Sequence, residues 1–309
     1  MTHQEKLERI EKLAASLGCK TVRDEPLCRH TSVKVGGKCD LMIIAPNSMT
    51  AAELKAKCEA IGLYSMILGN GSNCLFSDEG FRGAVIVAEA GSCDIVCDGE
   101  VITASAGVQL SAVCKAALEN GLTGLEFAYG IPGTVGGAVY MNAGAYGGEI
   151  KGIVESVRAM DMSGKLYDFT ADELGLGYRT SRFEHGGEII ISAVFRLKRG
   201  DKPEIKSKMD ELISRRRDRQ PLEYPSFGSA FKRPEGTYAG LVIEQSGLKG
   251  AEVGGAQISP KHANFIINRG NATAADITGL IELTQKTVRE KTGYSLEPEV
   301  RLIPAEPEK

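Results

Sequence analysis

Apolar residues recur at helical spacing in the opening segment: Leu7, Ile10, Leu13, Ala14 and Leu17 share one face, and Gly18 offers a stop. The stretch TSVKVGGKCDLMIIAP (31–46) alternates and then runs apolar, which predicts a hairpin turning at Gly36-Gly37. A helix is expected next, from Thr50 as N-cap to Gly62 as stop. LYSMILG (63–69) and AVIVAEA (84–90) read as buried strands, the first entering the loop GNGSN. In DIVCDGEVITASAG, Asp98-Gly99 lies between β-rich arms and predicts a hairpin, while SAVCKAALENG predicts a helix capped by Ser111 and ended near Gly121. VRAMDMSGKLYDF predicts a second hairpin turning at Ser163-Gly164, and EIIISAVFRLK (188–198) a long strand.

The charged break RGDKPE places a domain boundary near residue 200. Beyond it, IKSKMDELISRRRDRQP predicts an amphipathic helix ended by Pro221, and residues 273–293 a helix capped by Thr273 and stopped at Gly293. Short β segments, AQIS and NFIIN, fall between them. Hairpins with interspersed helices point to an α+β fold rather than a repeating βαβ series. There is no internal repeat, and only the charged tail AEPEK is of low complexity.

Composition narrows the function classes. A chain of 309 residues, 42% hydrophobic and 25% charged, can bury a sizeable core and suits two or three domains. Its net charge of −3 gives no electrostatic reason to expect a nucleic-acid or anionic-membrane partner. The N-terminus is charged from the start and no run of 18 apolar residues occurs, so a soluble, cytoplasmic protein is expected. The eight cysteines (Cys19, Cys28, Cys39, Cys58, Cys74, Cys93, Cys97 and Cys114) form no CxxC pair and are expected to be free thiols. Four scattered histidines lack HExxH spacing, so no metal centre is expected.

The stretch YGIPGTVGGAVYMNAGAYGG (129–148) is rich in glycine and free of charge, as is GNGSN (69–73). Neither fits GxGxxG or GK[ST], which removes the two common nucleotide loops. Two readings remain. The glycines could serve tight turns and close packing, or their amides could converge on a phosphate, with Asn70, Ser72, Asn73, Thr134 and Asn142 adding short polar groups. Two such loops together favour a dinucleotide pyrophosphate.

Three motifs lie downstream. GYRTSRF (177–183) holds Arg179 and Arg182, each either a paired surface charge or a planar fork for a carboxylate. PSFGSAFKRP (225–234) holds Ser226 and Ser229 with Lys232 and Arg233; a serine without a nearby histidine is usually structural, yet a positioned hydroxyl can donate a proton. LEPEVRLI (296–303) sets Glu297 and Glu299 on one face of an extended segment, either solvent-facing or functional. RRRDRQ (215–220) suits the cationic end of a helix or, with Lys232 and Lys261, the diphosphate of a nucleotide sugar.

Taken together, GNGSN, GIPGTVGGAVYMNAGAYG, GYRTSRF, PSFGSAFKRP, GGAQISPKHANFIIN (254–268) and LEPEVRLI resemble the UDP-N-acetylenolpyruvoylglucosamine reductase (MurB) family of vanillyl-alcohol-oxidase-like flavoproteins, in family order over nearly the whole chain. The resemblance implies a PCMH-type FAD-binding fold of two subdomains (1–90 and 91–200) plus a C-terminal α+β substrate-binding domain (201–309). It implies non-covalent FAD, held by Gly69, Asn70, Gly71, Ser72, Asn73, Gly130, Ile131, Pro132, Gly133, Thr134, Gly136, Gly137, Asn142, Gly144 and Ala145. It further implies NADPH as hydride donor and reduction of UDP-N-acetylglucosamine enolpyruvate to UDP-N-acetylmuramate in peptidoglycan synthesis. Arg179 and Glu299 would stabilise developing charge, Ser229 would be the general acid, and Lys232, Arg233 and Lys261 would bind substrate.

Only RFEHGG (182–187) separates the YRTS motif from the next strand, as in the family's short form, so no tyrosine gate is assigned. Arg233 stands where some members have Asn, and Pro304 where glycine is frequent, which leaves the substrate contacts open. The alternatives are a related FAD-dependent oxidase of an alcohol or sugar, and a non-catalytic protein that binds a UDP-sugar or flavin.

Overall fold

The computed structural model describes residues 1–90 and 94–307; Cys93 and the last two residues of the AEPEK tail lie outside them. The chain divides into two compact units that interleave in sequence. One comprises residues 1–23, 40–70 and 83–215, the other 24–39, 71–82 and 216–309. Helices and strands are mixed throughout, as an α+β fold requires.

The first unit holds two β layers. A four-stranded sheet runs in the order Lys20–Pro26, Lys38–Ala45, Phe81–Ala88, Ser65–Ile67, the last two strands parallel. Helix His3–Ser16 and helix Ser48–Ala60 supply Leu7, Ile10, Leu54 and Cys58 to its core, beside Leu41, Ile43 and Ile86. A five-stranded antiparallel sheet follows, in the order Leu166–Thr170, Val154–Met160, Ile189–Arg196, Val101–Ser105, Ile95–Asp98. Its core includes Ile102, Val113, Val139, Phe169 and Phe195. A smaller apolar cluster joins the two layers, with Ala52 and Ala56 of helix Ser48–Ala60 against Met160, Ile189 and Ile191.

The hairpins predicted at Asp98-Gly99 and Ser163-Gly164 form, with Gly99 (φ 59°) and Gly164 (φ 92°) at their turns. Two predicted caps move. Asn47, not Thr50, caps helix Ser48–Ala60, its Oδ1 accepting the Thr50 amide at 2.8 Å. Helix Leu110–Glu119 starts one residue before Ser111, with Gln109 at the N-cap.

In the second unit, the order Ser226–Ser229, Phe265–Asn268, Ala256–Ile258, Glu252–Val253 makes an antiparallel sheet covered by helix Ala274–Thr292. That helix begins and ends as expected, with a capping box at Thr273 and Gly293 at φ 78°. Val33, Val35 and Leu75 join this core from far upstream. The hairpin expected over 31–46 is absent: only Lys38–Ala45 is a strand, because Val33 and Val35 are drawn into that core. Gly37 serves main-chain contact, since a Cβ there would lie 2.3 Å from the Asp78 carbonyl oxygen.

Candidate active site

In the first unit, strand Ser65–Ile67 ends where the Leu68 amide reaches the Ile86 carbonyl at 2.8 Å, and Gly69-Asn70 departs from there. A Cβ on Gly69 would lie 2.6 Å from Thr134 Oγ1, so glycine lets the first loop rest on the second. Thr134 is buried and caps Val135–Tyr140, its Oγ1 accepting the Gly137 amide at 3.3 Å. On either side of Thr134 the chain is pinned to the 106–110 segment. The Val135 amide donates to Val108 at 2.8 Å, the Gly136 amide to Ala106 at 2.8 Å, and the Leu110 amide to Gly133 at 2.9 Å.

This pinning divides the expected phosphate cradle. The amides of Ile131, Gly136, Gly137 and Asn142 are consumed inside the protein. Several of the glycines serve packing: a Cβ on Gly136 would meet Ala106 Cβ at 2.9 Å, and one on Gly148 the Phe127 ring at 2.5 Å. By contrast, among the described residues no hydrogen-bond acceptor takes the amides of Gly69, Asn70, Gly130, Gly133 or Thr134 in the first unit, nor those of Gly71 and Ser72 in the second. The uncommitted N–H groups of the first unit, on glycine-rich backbone, fit the pyrophosphate of a dinucleotide such as FAD.

Tyr146 (φ 53°) and Gly147 (φ 87°) form the two-residue turn of a small hairpin that pairs Ala145 with Gly148 and Gly144 with Glu149. Asn142 is 1% exposed, and its side chain is committed: Nδ2 donates to the Gly177 carbonyl at 2.9 Å and to Glu149 at 3.1 Å, and Oδ1 accepts the Lys151 amide at 2.9 Å. Asn142 thus fastens the GYRTSRF loop to the glycine stretch, as does the Ser181 hydroxyl donating to Tyr140 at 2.7 Å.

Within that loop Gly177 and Thr180 bridge, which holds Arg179 at φ 56°, a conformation L residues rarely adopt. The Arg179 guanidinium donates to the Gly144 carbonyl at 3.2 Å and lies over the Tyr178 ring, 5.1 Å from its centroid. The two arginines separate in role: Arg182 stacks on Phe169 at 3.8 Å and pairs with Glu188 at 2.8 Å, so it is a fastener.

In the second unit, the Ser226–Ser229 strand carries a register shift, with Gly228 at φ 84°, and ends with Ser229 opposite Phe265. Such a bulge re-aims the residue that follows it. The next three residues lie between two partners. On one side the Ala230 amide donates to the Asn264 carbonyl at 2.8 Å, while the Asn264 side chain accepts from the Phe231 amide at 3.0 Å and donates to its carbonyl at 2.9 Å. On the other, the Glu299 amide donates to Ala230 at 2.8 Å and the Lys232 amide to Glu297 at 2.8 Å. Ser229 and Glu299 therefore lie on adjoining segments, both half-buried. Asn73 of GNGSN joins them, Nδ2 donating to the Glu299 carbonyl at 3.0 Å.

Of the expected substrate cations, Lys232 pairs with Glu297 at 2.5 Å and Arg233 stacks on Tyr238 at 4.0 Å. Lys261 donates to the Arg217 carbonyl at 2.7 Å, with Glu223 at 3.8 Å. Arg179 belongs to the first unit, and Ser229, Glu299 and the three cations to the second. Among the described residues no His, Cys, Asp or Glu cluster could hold a metal ion, and no helix is long and apolar enough to cross a membrane.

Residues 42–170 match the FAD binding domain family, which makes the glycine-rich region part of a flavoprotein fold. Residues 220–303 match the C-terminal domain of UDP-N-acetylenolpyruvoylglucosamine reductase. The enzyme of that name from Geobacillus kaustophilus (strain HTA426) is 47% identical over 98% of this chain and 99% of its own length. Its counterpart from Clostridium novyi (strain NT) is 46% identical over 96% and 97%. The crystal structure of the Thermus caldophilus enzyme superposes with a TM-score of 0.77 at 36% identity, covering 93% of this chain and 99% of that one. The chain belongs to the UDP-N-acetylenolpyruvoylglucosamine reductase family.

Proposed function

We propose that the chain reduces UDP-N-acetylglucosamine enolpyruvate to UDP-N-acetylmuramate in peptidoglycan synthesis, acting as a UDP-N-acetylmuramate dehydrogenase in the cytoplasm, where NADPH is made. Family membership over 98% of the chain is the observation that carries this reading. Non-covalent FAD, when bound, supplies the hydride, which it takes from NADPH and passes to the enol-ether double bond. The uncommitted amides of the two glycine loops are proposed to hold its pyrophosphate, and neither loop contains a histidine for covalent attachment.

The remaining work falls to three side chains. Arg179 offers a planar fork to the substrate carboxylate, from a backbone already held at φ 56°. Ser229 keeps at Oγ the proton that the carbanion-like carbon takes up. Glu299, on the segment beside Ser229, opposes the charge that builds on the enolate side by holding a proton there. Lys232, Arg233 and Lys261 contribute to the nucleotide-sugar side. Residues 1–90 and 91–200 would then serve the cofactor and 201–309 the substrate.

Anaerobic single-turnover kinetics on Ser229→Ala test the assignment. Bleaching of the yellow protein by NADPH should keep its wild-type rate, while return of colour with the enolpyruvyl substrate should slow about 10²-fold. Wild-type rates in both halves would remove Ser229 from its role. A wild-type protein that ignores NADPH and turns over rapidly with O2 would replace the reductase by an oxidase.

A further inference from the structure

Asn70 and Gln109 stand 39 positions apart in sequence with their side-chain amides reciprocally paired. Asn70 Nδ2 donates to Gln109 Oε1 at 2.5 Å, and Gln109 Nε2 donates to Asn70 Oδ1 at 2.7 Å. Gln109 is exposed and Asn70 half-buried. Two amides within reach of water gain little from each other unless something else holds them face to face, because water competes for every bond.

Something does hold them. Gln109 is the N-cap of helix Leu110–Glu119, yet it makes no side-chain capping bond; its amide reaches Asn70 instead. Its backbone is bridged to Thr134 through the bonds of Leu110 to Gly133 and Val135 to Val108. One residue before Asn70, Gly69 rests against Thr134 with no room for a Cβ. Gln109 therefore touches the second glycine loop through its main chain and the first through its side chain.

We propose that the Asn70–Gln109 pair is a latch that fixes the separation of the two glycine loops, so that Gln109 is a positioning residue for FAD. The Asn70 side chain acts through Gln109 and not by touching the cofactor. The latch rests on the reading that both loops hold FAD. Its effect is on cofactor affinity: with the amides of Gly69, Asn70, Gly130, Gly133 and Thr134 held in place, no ordering of the loops opposes binding.

The test uses the full chain stripped of flavin, with FAD binding followed by quenching of flavin fluorescence and apo-protein stability by urea unfolding. Asn70→Ala and Gln109→Ala should each raise the FAD Kd about 10-fold, and the double variant no further than either one, the signature of a single coupled pair. Gln109→Glu, which keeps the acceptor for Asn70 Nδ2 but loses the donor, should fall between wild type and Gln109→Ala. The urea midpoint of the apo protein should not move. A large loss with Asn70→Ala and none with Gln109→Ala would mean that Asn70 meets FAD itself. Losses that multiply in the double variant, unchanged affinities, or parallel losses of apo stability would each overturn the latch. Failure of the wild-type chain to bind FAD would instead remove the flavoprotein reading on which the latch stands.

Discussion

Replacing Asn264 by alanine isolates the interaction that holds the Ser229 segment in register. The Asn264 side chain imitates a neighbouring strand: it accepts the Phe231 amide at 3.0 Å and donates to the Phe231 carbonyl at 2.9 Å. Phe231 is 2% exposed, so water cannot take over either group. Each buried backbone group left without a partner costs about 1–3 kcal/mol, and two of them about 2–5 kcal/mol once partial relaxation is allowed. With an m-value of about 3 kcal/mol/M, the urea midpoint should fall by about 1 M. The chain has no tryptophan, so far-UV circular dichroism is the direct probe. The folded variant should also re-oxidise more slowly with the enolpyruvyl substrate while its reduction by NADPH is unchanged, since only the Ser229 side has been loosened. A midpoint within about 0.2 M of wild type would show that the Phe231 groups find other partners, and the argument would fail.

Two further outcomes follow from the geometry. At Gly71 (φ 57°) a Cβ would lie 2.2 Å from the His30 carbonyl oxygen and 3.0 Å from Thr31 Cα, so Gly71→Ala must move main chain; it should lose bound FAD on gel filtration and at least about 2 kcal/mol of stability. Gly147→Ala, at φ 87° with nothing within 4 Å, meets only the conformational penalty of about 1–2 kcal/mol, and equal behaviour of the two variants would contradict the close-approach argument. Burial pushes the Cys58 thiol up to about 11 and the Cys114 thiol up to about 12. Both stay protonated in the fold above pH about 9, where the unfolded chain ionises, so each thiol withdraws stability at about 1.4 kcal/mol per pH unit as pH rises from about 9 towards its folded value. Urea midpoints from pH 8 to 10.5 should therefore decline, and Cys58→Ala/Cys114→Ala should flatten the decline; an identical slope would refute the assignment.

What could be read from sequence was whatever is decided within a few residues. The cap at Thr273, the glycine stops at Gly18, Gly62 and Gly293, and the hairpins around Gly99 and Gly164 all depend on neighbours along the chain, and all were legible. Even the misplaced caps at Thr50 and Ser111 erred by one turn or less. The segment 31–37 failed for the opposite reason: its valines belong to a core completed by residues beyond 220, and its Gly37 answers to Asp78 and Gly80.

The candidate site divides along the same line. Glycine content without charge pointed to main-chain amides as candidate donors, but composition cannot say which amides are already engaged. The Val135 and Gly136 amides are taken by Val108 and Ala106, while Gly130 and Gly133 keep theirs, a distinction set by a bridge to a segment some 25 residues earlier. The polar residues that hold the site together, Asn142, Asn264 and Gln109, bond through their side chains to groups 7 to 39 positions away, and no local pattern marks Asn264 or Gln109. Of the three, Asn142 alone was named beforehand, first as a short polar group beside the glycine amides and then through the family resemblance, and its side chain is occupied in fastening the Arg179 loop. A resemblance carries over positions that matter without saying through which atoms they matter. Assigning the atom requires the partners, and for these three amides the partners exist only once the chain has folded.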